Sequence, residues 1–232
     1  MAAIGRHRLT RDGAGQVITT GSARFPRGQM APIVDRWTSF WYAGSFAAYD
    51  TLLLSDHVAL RPPRPSDYAE WLALRQDSRT HLTPWEPTWL EGEMTPRGFK
   101  RRIEIEYQDI RHDLTWPFFI FRRDTGELAG GINLRHIRRG VAQTATLGYW
   151  MGAAHAGHGL MRAALNRVIA HAFVAQGLRR LEAGILPENE PSRRLLEGAG
   201  FQPEGIARHW LRINGKLRDH QMYALLNPQQ NS

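Results

Sequence analysis

Residues 148–161, GYWMGAAHAGHGLM, constrain the fold more than any other stretch of the chain. An apolar strand runs through a loop of small residues into a helix of amphipathic period. Glycine at 157 and 159 lets the backbone approach a ligand closely. A helix beginning at Leu160 offers unpaired N–H groups and the positive end of its dipole to an anion such as a pyrophosphate. No Gly-Lys-Ser/Thr closes the segment, so it is not a P-loop, and its flanks are not the βαβ unit of a dinucleotide fingerprint. Nucleoside triphosphate and nicotinamide chemistries drop out. Many helices also begin after a glycine-rich turn with nothing bound, so the surrounding elements must carry the argument.

Those elements are legible on both sides. HVALRPPRP from His57 predicts a strand ended by its prolines. Ser66 is placed to cap a helix in which Tyr68, Trp71, Leu72 and Arg75 fall at i, i+3, i+4 and i+7, with Arg75 lending its stem to the apolar face. Thr95-Pro96 supplies a cap and a first-turn proline, followed by the stripe Phe99, Ile103, Tyr107, Ile110. Segments 116–123, 127–139 and 142–152 read as an antiparallel meander, with Asp124-Thr125-Gly126 turning between the first two. Residues 160–176 have helical period, with Met161, Leu165, Val168 and Ala172 on one face and Gly177 placed to end it. A strand at 178–186, a short helix at 190–197 and two strands about Asn214-Gly215, a type I′ hairpin signal, complete the order β-α-α-β-β-β-α-β-α-β-β.

This regular domain is expected over 56–227, with a tail at 228–232. Residues 1–55 are expected as an extension. Its first 30 or so residues lack periodicity and read as a flexible tail. Trp37, Phe40, Trp41, Tyr42, Phe46 and Tyr49 give the remainder enough apolar surface to pack as an arm on the main domain. The extension carries six Arg against three Asp, so it supplies +3 of a net charge of +8. A field of that size attracts polyanions, whether nucleic acid, a ribosome surface or a phosphorylated ligand, without choosing among them.

No apolar run approaches the roughly 18 to 20 residues of a membrane span, and the basic start lacks the apolar stretch of a signal peptide, so a cytoplasmic location is expected. The chain has no cysteine, which removes disulfides, thiolate zinc sites and a cysteine-bound acyl intermediate. His155 and His158 stand three apart without further ligands nearby, so no metal is expected.

The GYW strand, the Gly-x-Gly turn, the long helix, PENEPSRRLLEGAGF and the closing EG and Asp together resemble the GNAT acetyltransferases, in the branch that modifies the N-terminal alanine of ribosomal proteins. THLTPWEPTW at 80–89 resembles that branch's early loop. The resemblance spans about 57–226 and implies the GNAT fold, an α+β domain on a central mixed, mostly antiparallel sheet. It implies acetyl-CoA as co-substrate, bound along a splayed pair of parallel strands, here the one ending at Met151 and the one at 178–186. Pantetheine would bond to backbone at Trp150 and Met151, with the Met151 N–H as oxyanion donor. Ala154 to Gly159 matches the pyrophosphate loop, so Ala156, Gly157, His158, Gly159, Leu160 and Met161 are assigned to it. Ala154 stands where the family has Gln or Arg. Asn189 and Ser192 match the segment whose Asn holds pantetheine and whose Ser sits near the thioester sulfur as an acid, although Ser192 after Pro191 suits a helix start equally well.

The reaction implied is direct attack of an amine on a thioester, which asks the protein to align two substrates, accept a proton and stabilise an oxyanion. Glu86, between Trp85 and Pro87 with Trp89 nearby, is the expected base, since partial desolvation suits a carboxylate to taking a proton; a solvated loop carboxylate is the plain alternative. Thr146 stands where many relatives carry an acid. Asp219 is expected in a structural ion pair. The acceptor expected is a protein N-terminal α-amine, such as the alanine of a ribosomal protein. The alternatives are a small amine, or non-catalytic binding of RNA or the ribosome.

Overall fold

A computed structural model describes residues 9–11, 17–19 and 51–230. Strands β1 (Leu9–Arg11) and β2 (Val17–Thr19) pair antiparallel, inside the stretch read as lacking regular structure. The aromatic residues from Trp37 to Tyr49 lie outside the described residues. Among the described residues no helix is long and apolar enough to cross a membrane.

The main sheet begins with β3 (Leu53–Leu54), which pairs with β4 (Val58–Arg61), so it starts slightly before His57. Helix α1 (Tyr68–Asp77) follows, then the single turn α2 (Arg79–Leu82) and the longer α3 (Pro96–Arg111). The meander is β5 (Thr115–Arg122), β6 (Leu128–Arg138) and β7 (Thr144–Met151). Helix α4 (Leu160–Ala170) runs on through a π turn (His171–Ala175) to Gly177, whose φ of +63° suits glycine. Strand β8 (Arg180–Ile185), helix α5 (Glu190–Gly198) and the hairpin β9 (Gln202–Ile213) and β10 (Lys216–Leu226) complete the chain. Asn214 and Gly215 both have positive φ, as a type I′ turn requires.

The strand order is β3-β4-β5-β6-β7-β8-β10-β9, and β7 with β8 is its one parallel pair. One face packs Leu147, Leu181 and Ala183 against Leu160, Ala164, Leu165 and Val168 of α4. The other packs Phe119, Phe121 and Leu128 against Trp71 of α1 and Phe99 and Ile103 of α3.

Two expectations need correction. Ser66 is exposed and does not cap α1; Asp67 is buried there, paired bidentately with Arg61 at 2.6 and 2.8 Å and accepting from the Arg64 N–H at 2.8 Å. A carboxylate that gathers three donors holds the strand-to-helix corner more firmly than a lone hydroxyl. On α3 the Thr95 cap stands, its side chain accepting from the Gly98 N–H, but the buried stripe is Phe99, Ile103, Glu106 and Ile110. Tyr107 is half-buried and sends its hydroxyl to the Pro63 carbonyl at 3.2 Å.

Candidate active site

β7 is paired with β6 along its whole length, but with β8 only from Thr144 to Thr146. β8 in turn is held by β10 up to Ile185. Each strand is fixed by its outer neighbour, so neither can bend across, and a gap opens beyond Thr146 and Glu182. The Gly152 N–H donates to the Ala129 carbonyl at 2.8 Å. An antiparallel ladder alternates, so Trp150 turns its backbone to β6 while Tyr149 and Met151 turn theirs to the gap. The Met151 N–H therefore faces the gap. Trp150 is not available through its backbone and borders the site by its indole, which lies on Gly131.

At the end of β7 the chain makes a 3₁₀ turn (Ala153–His155), in which the His155 and Ala156 N–H groups bond back to Gly152 and Ala153. Gly157 and Gly159 follow with φ of +79° and +76°, and a Cβ on either would meet only open space. No side chain caps α4 at Gly159, so the N–H groups of Leu160, Met161 and Arg162 have no intrahelical acceptor. This is a concave backbone surface suited to an anion. Ala154 and His158 are exposed, whereas His155 is partly buried; its imidazole pKa is lowered first by burial and then by Arg122. Among the described residues no cluster of His, Cys, Asp or Glu is arranged to hold a metal.

Across the gap, Asn189 caps α5 by accepting from the Ser192 N–H at 3.2 Å. Its oxygen is thus engaged, and its amide nitrogen is the part left to meet a ligand. Tyr149 reaches from β7 to the same place. Burial pushes its phenol up to about 12, against a smaller lowering by Ser192, and its hydroxyl stands beside Ser192 without the geometry of a full hydrogen bond.

Glu86 has a setting different from the one expected. Its two oxygens accept from Arg75 at 2.6 and 2.7 Å, and a third donor, Trp89 Nε1, reaches it at 2.9 Å. Arg75 in turn lies over the rings of Trp89 and Trp150, at 4.4 and 4.9 Å from their centroids. Three donors hold this carboxylate in place within the stack. The sequence pattern gives Arg75 only an apolar stem; its place four residues after Trp71, the buried residue of α1, is the available signal. The Glu86 carbonyl accepts from the Asn214 N–H at 2.9 Å, which ties this loop to the tip of the β9–β10 hairpin.

The hairpin also supplies Trp210, whose ring lies on Gly184 of β8 and stands edge-on to His220 at 5.2 Å. Asp219 accepts from the His209 N–H at 2.8 Å, where His209 has a φ of +48°. The expected ion pair is thus a backbone bond that fixes the bulge beneath Trp210. Nothing in the local sequence pattern marked Trp210 for this position.

Residues 57–202 match the family described as Acetyltransferase (GNAT) domain. The probable N-acetyltransferase YjcK of Bacillus subtilis is 38% identical over 178 residues, covering 76% of this chain and 98% of that protein. The [ribosomal protein uS5]-alanine N-acetyltransferase of Escherichia coli is 31% identical over 176 residues, with 76% and 91% covered. The solved structure of Mycobacterium smegmatis RimJ in complex with CoA-disulfide superposes with a TM-score of 0.70 at 32% identity, covering 75% of this chain and 84% of that one.

Proposed function

The chain belongs to the GNAT acetyltransferase family, and from that premise we propose that it transfers acetyl from acetyl-CoA to the N-terminal amine of a protein, an alanine of a ribosomal protein as in the name of its Escherichia coli relative. The observation that carries this reading is the gap between β7 and β8, with Met151 backbone facing it and the Gly157–Gly159 backbone cradle at its end. The fit to the co-substrate is a matter of shape and donors. The cradle and the start of α4 take the pyrophosphate, Asn189 and the Met151 backbone take pantetheine, and the thioester supplies the acyl group.

The chain's own residues then do three things. Met151 N–H stands ready for negative charge on the acyl oxygen, without reorganisation. Ser192, beside Tyr149, supplies a proton to the departing sulfur. Arg75, Glu86, Trp89 and Trp150 form a rigid wall that positions the acceptor, and Glu86 works there as a positioning group.

A small polycationic amine fits this wall poorly. Glu86 is neutralised by Arg75, and Glu182 at the fork is engaged by Arg180 at 2.8 Å and Arg138 at 3.2 Å. The experiment is thiol release from acetyl-CoA with peptides beginning in Ala or Ser and with small primary amines. Turnover of the Ala peptide is expected; turnover of small amines alone would refute the protein-directed reading.

A further inference from the structure

The buried stripe of α3 carries one carboxylate. Glu106 is 7% exposed between Ile103 and Ile110. Its Oε1 accepts from Arg102 Nε at 3.0 Å and lies 3.8 Å from the Arg135 guanidinium, while Oε2 is buried and meets no hydrogen-bond partner. An apolar residue at this position would avoid the cost of such a group, which is a reason to look for work that it does.

A half-open hollow borders Glu106, lined also by Arg102, Pro117, Gly131, Asn133 and Trp150, with room for about one water. Two bare backbone positions shape its surroundings. A methyl on Gly131 would come 2.5 Å from Trp150 Nε1, and a methyl on Gly148 would come 3.0 Å from Asn133 Oδ1. Asn133 and Gly148 are register partners, and β7, which carries Gly148, is the strand bordering the gap. Gly148 thus puts no side chain of its own on the strip of β7 beside Asn133.

We propose that Glu106 receives the proton lost by the acceptor amine, through water held among Glu106, Asn133 and Trp150 and passing over Gly148. The proposal rests on the transferase reading above and supplies the base that Glu86, committed to Arg75 and Trp89, does not. An N–H bond of the ammonium breaks and an O–H bond forms on Glu106 through the water. The neutral amine then forms the N–C bond as the C–S bond breaks. The second amine proton leaves by way of Ser192 to the sulfur, and Glu106 returns its proton to solvent. The charged groups facing Glu106 are Arg102 of its own helix and Arg135 of β6.

The test is the pH profile of kcat/KM for Glu106→Gln, which keeps side-chain length and an acceptor for Arg102. The acceptor is an Ala-initiated peptide or, if the wild-type protein does not use it, phenethylamine. In the variant, kcat/KM should fall about tenfold per pH unit below an amine pKa near 8, while the wild type holds its rate, and the two should converge to within about 3-fold above about pH 9.5. The affinity for acetyl-CoA should be unchanged. A pH-independent loss, or no loss, overturns the proposal. Turnover of phenethylamine alone refutes the peptide reading while still reporting on Glu106. Independently of any acceptor, a crystal structure with CoA should place an ordered water on Glu106 Oε2; a dry hollow overturns the proposal equally.

Discussion

The two sides of the gap are built from different materials. The side carrying α4 and α5 is mostly backbone: the Gly157–Gly159 cradle, the first N–H groups of α4 and the Asn189 cap. The side facing α1 and α3 is mostly side chain: Arg75, Glu86, Trp89, Trp150, Trp210 and Glu106, brought together from five separate parts of the chain. Backbone recognition suits a ligand that stays the same through evolution, since it depends little on which side chains are present. Side-chain recognition suits an acceptor that differs from one relative to the next.

The largest expected effect tests that contrast directly. Gly157→Val places a β-branched residue at positive φ in the cradle, and acetyl-CoA binding should weaken at least about 100-fold, or roughly 2.7 kcal/mol. Thermal unfolding with and without acetyl-CoA reads it: the wild type gains about 2.7 kcal/mol at about 100 times its Kd, and the variant gains almost nothing. A normal shift in the variant would mean that the cradle does not hold the ligand.

Comparable in size is an acid sensitivity lodged under the backbone-built side. His171 is fully buried between Trp116 and Phe118, and burial lowers its pKa to about 4 from 6.5. The folded state resists the proton that the unfolded state accepts. Its contribution is therefore intact above about pH 6.5 and is lost as pH falls towards 4, a loss of about 3 kcal/mol. Denaturant unfolding across that range should show His171→Phe with a flatter acid limb than the wild type; parallel limbs would exclude His171 as the source.

Arg75→Ala probes the opposite side. It strips a half-buried carboxylate of its bidentate partner and should cost about 3 kcal/mol or less, since Glu86 retains some exposure. The acceptor KM should rise while acetyl-CoA affinity holds, which separates the two sides kinetically. A parallel loss of acetyl-CoA affinity would contradict the division.

The smallest effect is expected from Asp219→Ala, which removes one bond to the His209 N–H and should cost about 1 kcal/mol of stability. Its use is to show whether the bulge beneath Trp210 matters for the acceptor. An unchanged acceptor KM would take Trp210 out of the wall.

The legibility of the chain follows the same division. The order of elements, the cap at Thr95, the turn at Asn214-Gly215 and the glycine loop before α4 are local properties, set by residues within a few positions of one another. The start of α1 is not local, because Asp67 is held there by Arg61, on the preceding strand. The α3 stripe was misread by one position because Glu106 interrupts an apolar period, and periodicity places a charge outside by default. The tryptophan neighbours of Glu86 are local in the sequence, but its environment turns on Arg75, eleven residues away and on a helix.

The sequence by itself determined the family, the succession of strands and helices and the backbone cradle, because periodicity, turn chemistry and glycine φ preferences act over short separations. Only the tertiary structure decided how far β7 and β8 stay paired, which oxygens of Glu86 and Glu106 are engaged and which glycines lie bare beneath Trp150 and Trp210. The reason is physical: each depends on which distant group arrives to satisfy a buried polar atom or cover a bare stretch of backbone, and that is settled only when the sheet and its two layers of helices close.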